Sequence, residues 1–144
     1  MIDFGFDAVL VVGKKSENLD MLRVLIMDDE PDTRRFIKET LEAAGYEVVL
    51  AADGAEGMQH YESTRIDLAV IDLFMPKREG LETIKELKRQ SPDFPIIAMS
   101  GDPSALEFLS IAQRLGAEEV LQKPFLPEEL LELIGHVLQS KHPR

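Results

Sequence analysis

Four apolar stretches of the sequence each end beside a side chain that could take part in chemistry. Each stretch has the length and unbroken hydrophobicity of a strand that is buried on both faces. The side chains that follow them are Asp28 and Asp29 after residues 24–27, Asp72 after residues 68–71, Ser100 after residues 96–99, and Lys123 after residues 120–122. If the four stretches are parallel strands, these side chains meet at one edge of a sheet.

The chemistry of that set is phosphoryl transfer. Three carboxylates brought close together need a cation, and all-oxygen ligands favour Mg²⁺. The ammonium of Lys123 can hold a phosphoryl oxygen, and the hydroxyl of Ser100 can form a hydrogen bond to the same group. Asp72 is the candidate nucleophile because it stands alone, whereas Asp28 and Asp29 are neighbours and are the candidate metal ligands. Each residue alone is equally typical of a loop or a helix cap, so the prediction rests on their joint placement.

The elements that would position these residues alternate along the chain. Continuous apolar runs predict strands, and apolar residues at helical spacing, including Phe36 and Leu106, predict the buried faces of helices. The expected strands are 23–27, 46–50, 67–71, 95–99 and 118–122, and the expected helices are 31–44, 55–63, 81–89, 104–115 and 127–139. This alternation predicts an α/β domain with a five-stranded parallel sheet between two layers formed by five helices.

Composition and charge restrict the class of protein. The 144 residues suffice for one domain, and 27 acidic against 16 basic residues give a net charge of -11. This balance argues against a nucleic-acid surface, which needs a basic stripe. The absence of cysteine excludes disulfides and thiolate sites, and no apolar run approaches the ~20 residues of a membrane span. We therefore expect a cytoplasmic protein that contacts neither membrane nor nucleic acid directly.

The domain boundaries follow from the same pattern. Residues 1–21 carry no clear periodicity, and we expect an N-terminal extension that is loosely ordered. The alternating elements occupy residues 22–141, and residues 142–144 form a short C-terminal tail.

Four motifs of the chain resemble the receiver domain of bacterial two-component response regulators. They are residues 24–31, residues 70–76 together with Gly80, residues 99–101, and residues 122–125. The resemblance extends over about residues 22–140 and implies a flavodoxin-like sheet of order 2-1-3-4-5. It also implies that Asp72 is the phospho-acceptor, that Asp29 is a direct Mg²⁺ ligand assisted by Asp28, and that the backbone carbonyl of Phe74 completes the protein ligands.

The resemblance further assigns the remaining site residues and the partners. It implies that Ser100 is the switch hydroxyl, that Lys123 binds the phosphoryl oxygens, and that the Lys123–Pro124 peptide bond is cis. The phosphoryl group would come from a phosphohistidine of a sensor histidine kinase or of a histidine phosphotransfer protein. Such a domain is not an enzyme in the usual sense, but it promotes its own phosphorylation and dephosphorylation.

Three features depart from the pattern of that family. Val120 lies where receivers often carry an aromatic residue that moves with the switch hydroxyl. Phe74 lies where a smaller or polar side chain is common, and its ring either limits the access of water to the acceptor or points away. The loop of Lys77, Arg78 and Glu79 is a candidate for partner contact or a solvated loop.

The preferred hypothesis is a single-domain response regulator that passes its signal to an unidentified downstream protein. Its output surface would comprise the fourth helix, the fifth strand and the fifth helix. Three alternatives remain open at this point: a receiver that is part of a longer regulator with an output domain, a phosphohydrolase with Asp72 as nucleophile, and a receiver-like docking module without phosphoryl chemistry.

Overall fold

The computed structural model of the chain describes residues 21–75, 79–101 and 105–141. The five strands are β1 (Arg23–Met27), β2 (Glu47–Ala51), β3 (Leu68–Asp72), β4 (Ile96–Ser100) and β5 (Glu119–Gln122). The five helices are α1 (Pro31–Ala43), α2 (Gly54–Ser63), α3 (Glu79–Gln90), α4 (Ala105–Arg114) and α5 (Pro127–Lys141). Residues 1–20, Lys77, Arg78 and the tail 142–144 lie outside the described residues, so the expectations about them stay predictions.

The five strands form one parallel sheet in the order β2-β1-β3-β4-β5. Successive side chains of a strand point to opposite faces, and each face carries its own apolar cluster. Leu25 and Met27 pack with buried residues of α3 and α4 on one face, whereas Val24 and Ile26 pack with α1 and α5 on the other. The expected α/β sandwich of three layers, with sheet order 2-1-3-4-5 and five helices, is therefore confirmed.

Most strands are displaced by one residue from their predicted bounds. Asp72 and Ser100 are the last residues of β3 and β4, whereas the sequence pattern placed them just after the strands. Both residues are held by the sheet, because Asp72 pairs with Met99 and Ser100 pairs with Gln122 across neighbouring strands. The pattern missed this because a polar residue at the edge of an apolar run gives no signal that the ladder includes it.

Two apolar residues that the helical spacing assigned to the core are exposed, so that part of the prediction was wrong. Phe36 of α1 is 39% exposed and Leu106 of α4 is 73% exposed. Phe36 instead lies against the ring of Phe125, with ring centroids 6.1 Å apart. Leu106 lies in the first turn of α4, outside the stripe of Leu109 and Ala112 that the sheet buries.

Candidate phospho-acceptor site

The loop between β1 and α1 carries two aspartates in contrasting environments. Asp28 is fully buried, and its N–H donates to the carbonyl of Ala51 over 3.1 Å. Its Oδ1 accepts from the N–H of Glu30 at 2.9 Å, a local bond that bends the chain into α1. Asp29 is exposed. The loop therefore presents one carboxylate that the protein holds and one that faces solvent.

Asp72 occupies the end of the central strand and is 4% exposed. Its Oδ1 accepts from the N–H of Phe74 at 3.0 Å, which orients the carboxylate. Gly80 packs directly over its backbone, and a Cβ atom there would collide with the carbonyl oxygen of Asp72. A residue without a side chain at the start of α3 thus lets that helix lie against the acceptor strand.

Lys123 joins the two buried acids of the site. Its Nζ donates to Oδ2 of Asp28 at 2.8 Å and to Oδ2 of Asp72 at 3.2 Å. The sheet positions it, because its N–H donates to the carbonyl of Ser100 at 2.8 Å. Ser100 is fully buried one strand away from Asp72, and the peptide bond from Lys123 to Pro124 is cis, as the resemblance implied.

The three aspartates form a group that could hold a metal ion. Asp28, Asp29 and Asp72 each offer a carboxylate oxygen, and these atoms lie within 4.8 Å of one another. Carboxylate oxygens are hard ligands that suit Mg²⁺. Asp29 is open to water, which fits an ion that keeps several of its water ligands. Lys123 is the one cation that the described structure pairs with these three carboxylates, and it pairs with two of them, so a divalent cation would offset the remaining negative charge. The predicted carbonyl ligand of Phe74 stays a prediction.

The electrostatics of the site shift the pKa values of Asp72 and Lys123. Burial raises the pKa of Asp72 and the charge of Asp28 raises it further, against the lowering effects of the Phe74 N–H and Lys123. Burial acts to lower the pKa of Lys123, but the hydrogen bond to Asp28 and the charges of Asp72 and Asp28 outweigh it and leave that pKa raised. The charged form of Lys123 is therefore favoured by its two acids, whereas the charged form of Asp72 is disfavoured by burial and by Asp28 and is only partly compensated.

The surroundings of the acceptor contain features that the sequence motifs did not indicate. The ring of Phe74 packs edge-on against Phe108 of α4, with ring centroids 4.8 Å apart, so it is engaged with that helix. Val120 is partly buried against the core that contains α3 and α4. Arg34 of α1 donates from Nη1 to the carbonyl of Asp28 at 2.7 Å. No sequence signal marks this contact, because its acceptor is a backbone atom.

This arrangement of site residues lies within a stretch of the chain that matches a known family. A family model described as the response regulator receiver domain matches residues 24–135, which include all the predicted site residues. The chain belongs to the response regulator receiver family. A phosphorylated aspartate and Mg²⁺ are general features of receiver domains in two-component systems.

Individual relatives support this assignment. The chain is 32% identical over 117 residues to the alkaline phosphatase synthesis transcriptional regulatory protein PhoP of Bacillus subtilis, and 34% identical over 122 residues to the transcriptional regulatory protein CpxR of Escherichia coli. These matches cover 81% and 85% of this chain but 48% and 51% of the relatives. The receiver domain thus spans about half the length of the curated relatives it matches.

A solved receiver has the same fold. The chain superposes on the CheY-like response regulator receiver domain protein of Methanospirillum hungatei with a TM-score of 0.79 and 32% identity. The match covers 85% of this chain and 97% of that one. No helix in the described part of this receiver has the length and apolar character needed to cross a membrane.

Proposed function

We propose that this receiver accepts a phosphoryl group from a phosphohistidine onto Asp72 in a Mg²⁺-dependent step. The observation that carries the proposal is the shared ammonium of Lys123, which bonds to both Asp28 and Asp72 at an edge where three carboxylates converge. A site that brings together a buried acceptor, a fixed cation and metal ligands has the parts that phosphoryl transfer needs.

Each residue has a role in the proposed transfer. A carboxylate oxygen of Asp72 forms a bond to phosphorus while the bond from phosphorus to the histidine nitrogen breaks, which yields an acyl phosphate and a free imidazole. Lys123 binds a phosphoryl oxygen, and the hydroxyl of Ser100 forms a hydrogen bond to the same group. Asp28, Asp29 and Asp72, with the carbonyl of Phe74, would hold Mg²⁺, which supplies charge neutralisation at the transferring group. The Phe74 N–H keeps the Asp72 carboxylate oriented.

The partner is proposed to be a sensor histidine kinase or a histidine phosphotransfer protein, within the cytoplasm. A cleft of about 370 Å³ opens beside Lys123 and is lined by Thr33, Phe36, Gly101, Pro124 and Phe125. Its aromatic walls would suit an aromatic or apolar group of the partner that docks on the Lys123 side of the site. The net charge of -11 supports a receiver that makes no direct contact with nucleic acid itself.

The phosphorylated state is proposed to shift the receiver toward an output-competent surface formed by α4, β5 and α5. Two arrangements would use that surface: a single-domain regulator that acts on a separate protein, or a receiver joined to an output domain. The matches to about half of two transcriptional regulatory proteins support the second arrangement, and the acceptor chemistry is the same in both. As a phosphoacceptor the domain would promote its own phosphorylation and dephosphorylation without acting as an enzyme on other substrates.

The acceptor chemistry is tested by incubating the chain with acetyl phosphate and Mg²⁺ and recording its intact mass. We expect the addition of one acid-labile phosphoryl group to the wild-type chain and none to Asp72→Asn. Uptake by the Asp72→Asn variant would show that the acceptor is wrongly assigned. Multiple turnover of p-nitrophenyl phosphate would favour a phosphohydrolase, and a failure to bind Mg²⁺ would favour a docking module.

A further inference from the structure

The peptide group between the two aspartates of the β1–α1 loop is held by a side chain that no motif assigns to the site. The partly buried guanidinium of Arg34 donates from Nη1 to the carbonyl of Asp28 at 2.7 Å. Side chains in an α-helix lean toward the N-terminus, so a residue in the first turn of α1 can reach back over the loop that precedes it. The N–H of Arg34 donates to the carbonyl of Glu30 at 3.1 Å, which anchors that turn.

This bond completes the fixation of Asp28. The N–H of Asp28 is bonded to Ala51, and its two carboxylate oxygens are bonded to Glu30 and Lys123. Without Arg34, the carbonyl of Asp28 would lack this bond, and the plane of the following peptide would be less restrained. Because a peptide group is planar, fixing that carbonyl also fixes the N–H and Cα of the next residue, Asp29.

Asp29 depends on this indirect support more than Asp28 does. Its carboxylate is exposed and makes no hydrogen bond or ion pair to another described residue. Nothing in the described part of the chain therefore aims the Asp29 side chain except the direction of its own backbone. The peptide that Arg34 holds fixes the Cα of Asp29, and the bond from the Glu30 N–H to Oδ1 of Asp28 restrains the peptide on its other side, so together they direct the Cα–Cβ bond.

We propose that Arg34 is a positioning residue that orients Asp29 for Mg²⁺ by holding the Asp28–Asp29 peptide. The proposal rests on the magnesium-dependent function proposed above and extends it to a residue outside the ligand set. Groups that orient metal ligands from outside the coordination sphere commonly change metal affinity about 10- to 100-fold. Arg34 acts on a backbone group and not on a carboxylate, so we expect an effect near the lower limit.

The direction of the change in Mg²⁺ affinity distinguishes an Arg34 that positions a ligand from one that only adds positive charge. A guanidinium that only adds positive charge near the site would repel Mg²⁺, and its removal would strengthen binding. A guanidinium that orients a ligand would weaken binding when removed. Arg35 supplies a matched control, because it is the next residue of α1, carries the same charge, and pairs with Asp32 at the surface with 64% of its side chain exposed.

The test is isothermal titration calorimetry of Mg²⁺ into the full chain without a phosphodonor, for wild type, Arg34→Gln, Arg34→Lys and Arg35→Gln. We expect Arg34→Gln to weaken Mg²⁺ binding about tenfold. Arg34→Lys should fall between that variant and wild type, because an ammonium can bind the same carbonyl without the rigid fork of a guanidinium. Arg35→Gln should bind within about twofold of wild type.

A second measurement, by NMR, reports on the Asp28–Asp29 peptide group directly. In metal-free protein, the amide resonance of Asp29 should shift and broaden in Arg34→Gln and stay unchanged in Arg35→Gln. Equal Mg²⁺ affinities for Arg34→Gln and Arg35→Gln, or tighter binding by Arg34→Gln, would overturn the role of Arg34 and leave the proposed function intact. Absence of Mg²⁺ binding by the wild-type chain would overturn the proposed function together with this inference.

Discussion

The central strand β3 has an aspartate at each end, and the two are used differently. Asp67 immediately precedes the strand, forms an ion pair with Arg65, and accepts the N–H of Arg23 at 2.8 Å. Asp72 ends the strand and shares one ammonium, that of Lys123, with Asp28. Two aspartates at opposite ends of β3 therefore differ, because the charge of Asp67 is balanced at one edge of the sheet and the charge of Asp72 is only partly compensated at the other.

The contrast extends along both edges. Among the described residues, the amino edge carries three pairs of opposite charge, which are Arg23 with Glu47, Arg65 with Asp67, and Lys88 with Glu118. At the carboxyl edge, the described part of the site brings together Asp28, Asp29 and Asp72, of which two bond to the one ammonium of Lys123, while the guanidinium of Arg34 bonds to a backbone carbonyl. Balanced pairs tie neighbouring elements together, whereas a buried deficit of positive charge costs stability until a cation arrives. Charge balance therefore distinguishes the edge that supports the fold from the edge that carries the proposed metal and phosphoryl site.

The largest expected difference is between the two partly buried lysines. Lys123→Met should lower the rate of phosphorylation of Asp72 about 100- to 1,000-fold, because it removes a preorganised cation from the transferring group. Lys88→Met removes the pair with Glu118 at the other edge and should change that rate by less than about twofold. The initial rate of phosphoryl incorporation at saturating Mg²⁺ measures both.

Similar losses in the two lysine variants would mean that the rate reflects general stability and not the site. Urea denaturation of both proteins serves as the control, because it measures the stability that each variant loses. Lys88→Met loses one ion pair of 2.8 Å, whereas Lys123→Met loses two, of 2.8 and 3.2 Å.

The next effect concerns magnesium and stability. Mg²⁺ at about 100 times its dissociation constant should raise the free energy of unfolding of the wild-type chain by about 2.7 kcal/mol. Asp29→Asn should lose most of this gain, whereas Glu47→Gln, which removes an acid from the amino edge, should keep it. Denaturation curves with and without Mg²⁺ at matched ionic strength provide the measurement. If Mg²⁺ stabilises Asp29→Asn as much as the wild-type chain, the carboxylate of Asp29 is not a metal ligand.

A smaller effect concerns pH in metal-free protein. Burial and the charge of Asp28 raise the pKa of Asp72 in the folded state. Such a group favours folding fully below its unfolded pKa of about 3.9, and this contribution is lost as the pH rises through the folded pKa. With a chelator present, Asp72→Asn should therefore become progressively more stable than wild type as the pH rises above about 4. A stability difference that is independent of pH would contradict the uncompensated charge.

The smallest expected effect is a difference between two edge-on aromatic pairs in their influence on the lifetime of the phosphoryl group. Phe74 and Phe108 lie near the acceptor with centroids 4.8 Å apart, and Tyr61 and Phe94 lie near the amino edge at 5.1 Å. Double-mutant cycles with leucine should give coupling energies of about 1 kcal/mol for each pair. Only Phe74→Leu and Phe108→Leu should shorten the lifetime of the phosphoryl group on Asp72, because only that pair can shield it from water. Equal lifetimes in all four variants would contradict such shielding.

The sequence predicted the sheet and the convergence of the site well, because both depend on apolar runs that end in polar residues. Asp28, Asp72 and Lys123 come from three strands, and the parallel topology alone requires them to meet. It did not predict that Phe36 and Leu106 are exposed, because helical spacing does not show how far a sheet extends beneath a helix. Arg34 was missed because a bond to a backbone carbonyl leaves no pattern of residue types.

If the account is correct, phosphoryl chemistry occurs only at the carboxyl edge of the sheet. One tryptic peptide that contains β3 carries an aspartate from each edge and so tests both. Trypsin cleaves after Arg65 and Lys77, so a single fragment, residues 66–77, contains both Asp67 and Asp72. The chain would be phosphorylated with acetyl phosphate and Mg²⁺, reduced with borohydride, which converts an aspartyl phosphate to homoserine, and analysed by fragment mass spectrometry. We predict homoserine at position 72 and an unchanged Asp67. Reduction at Asp67, at Asp28 or at Asp29, or no reduction at any aspartate, would contradict the assignment.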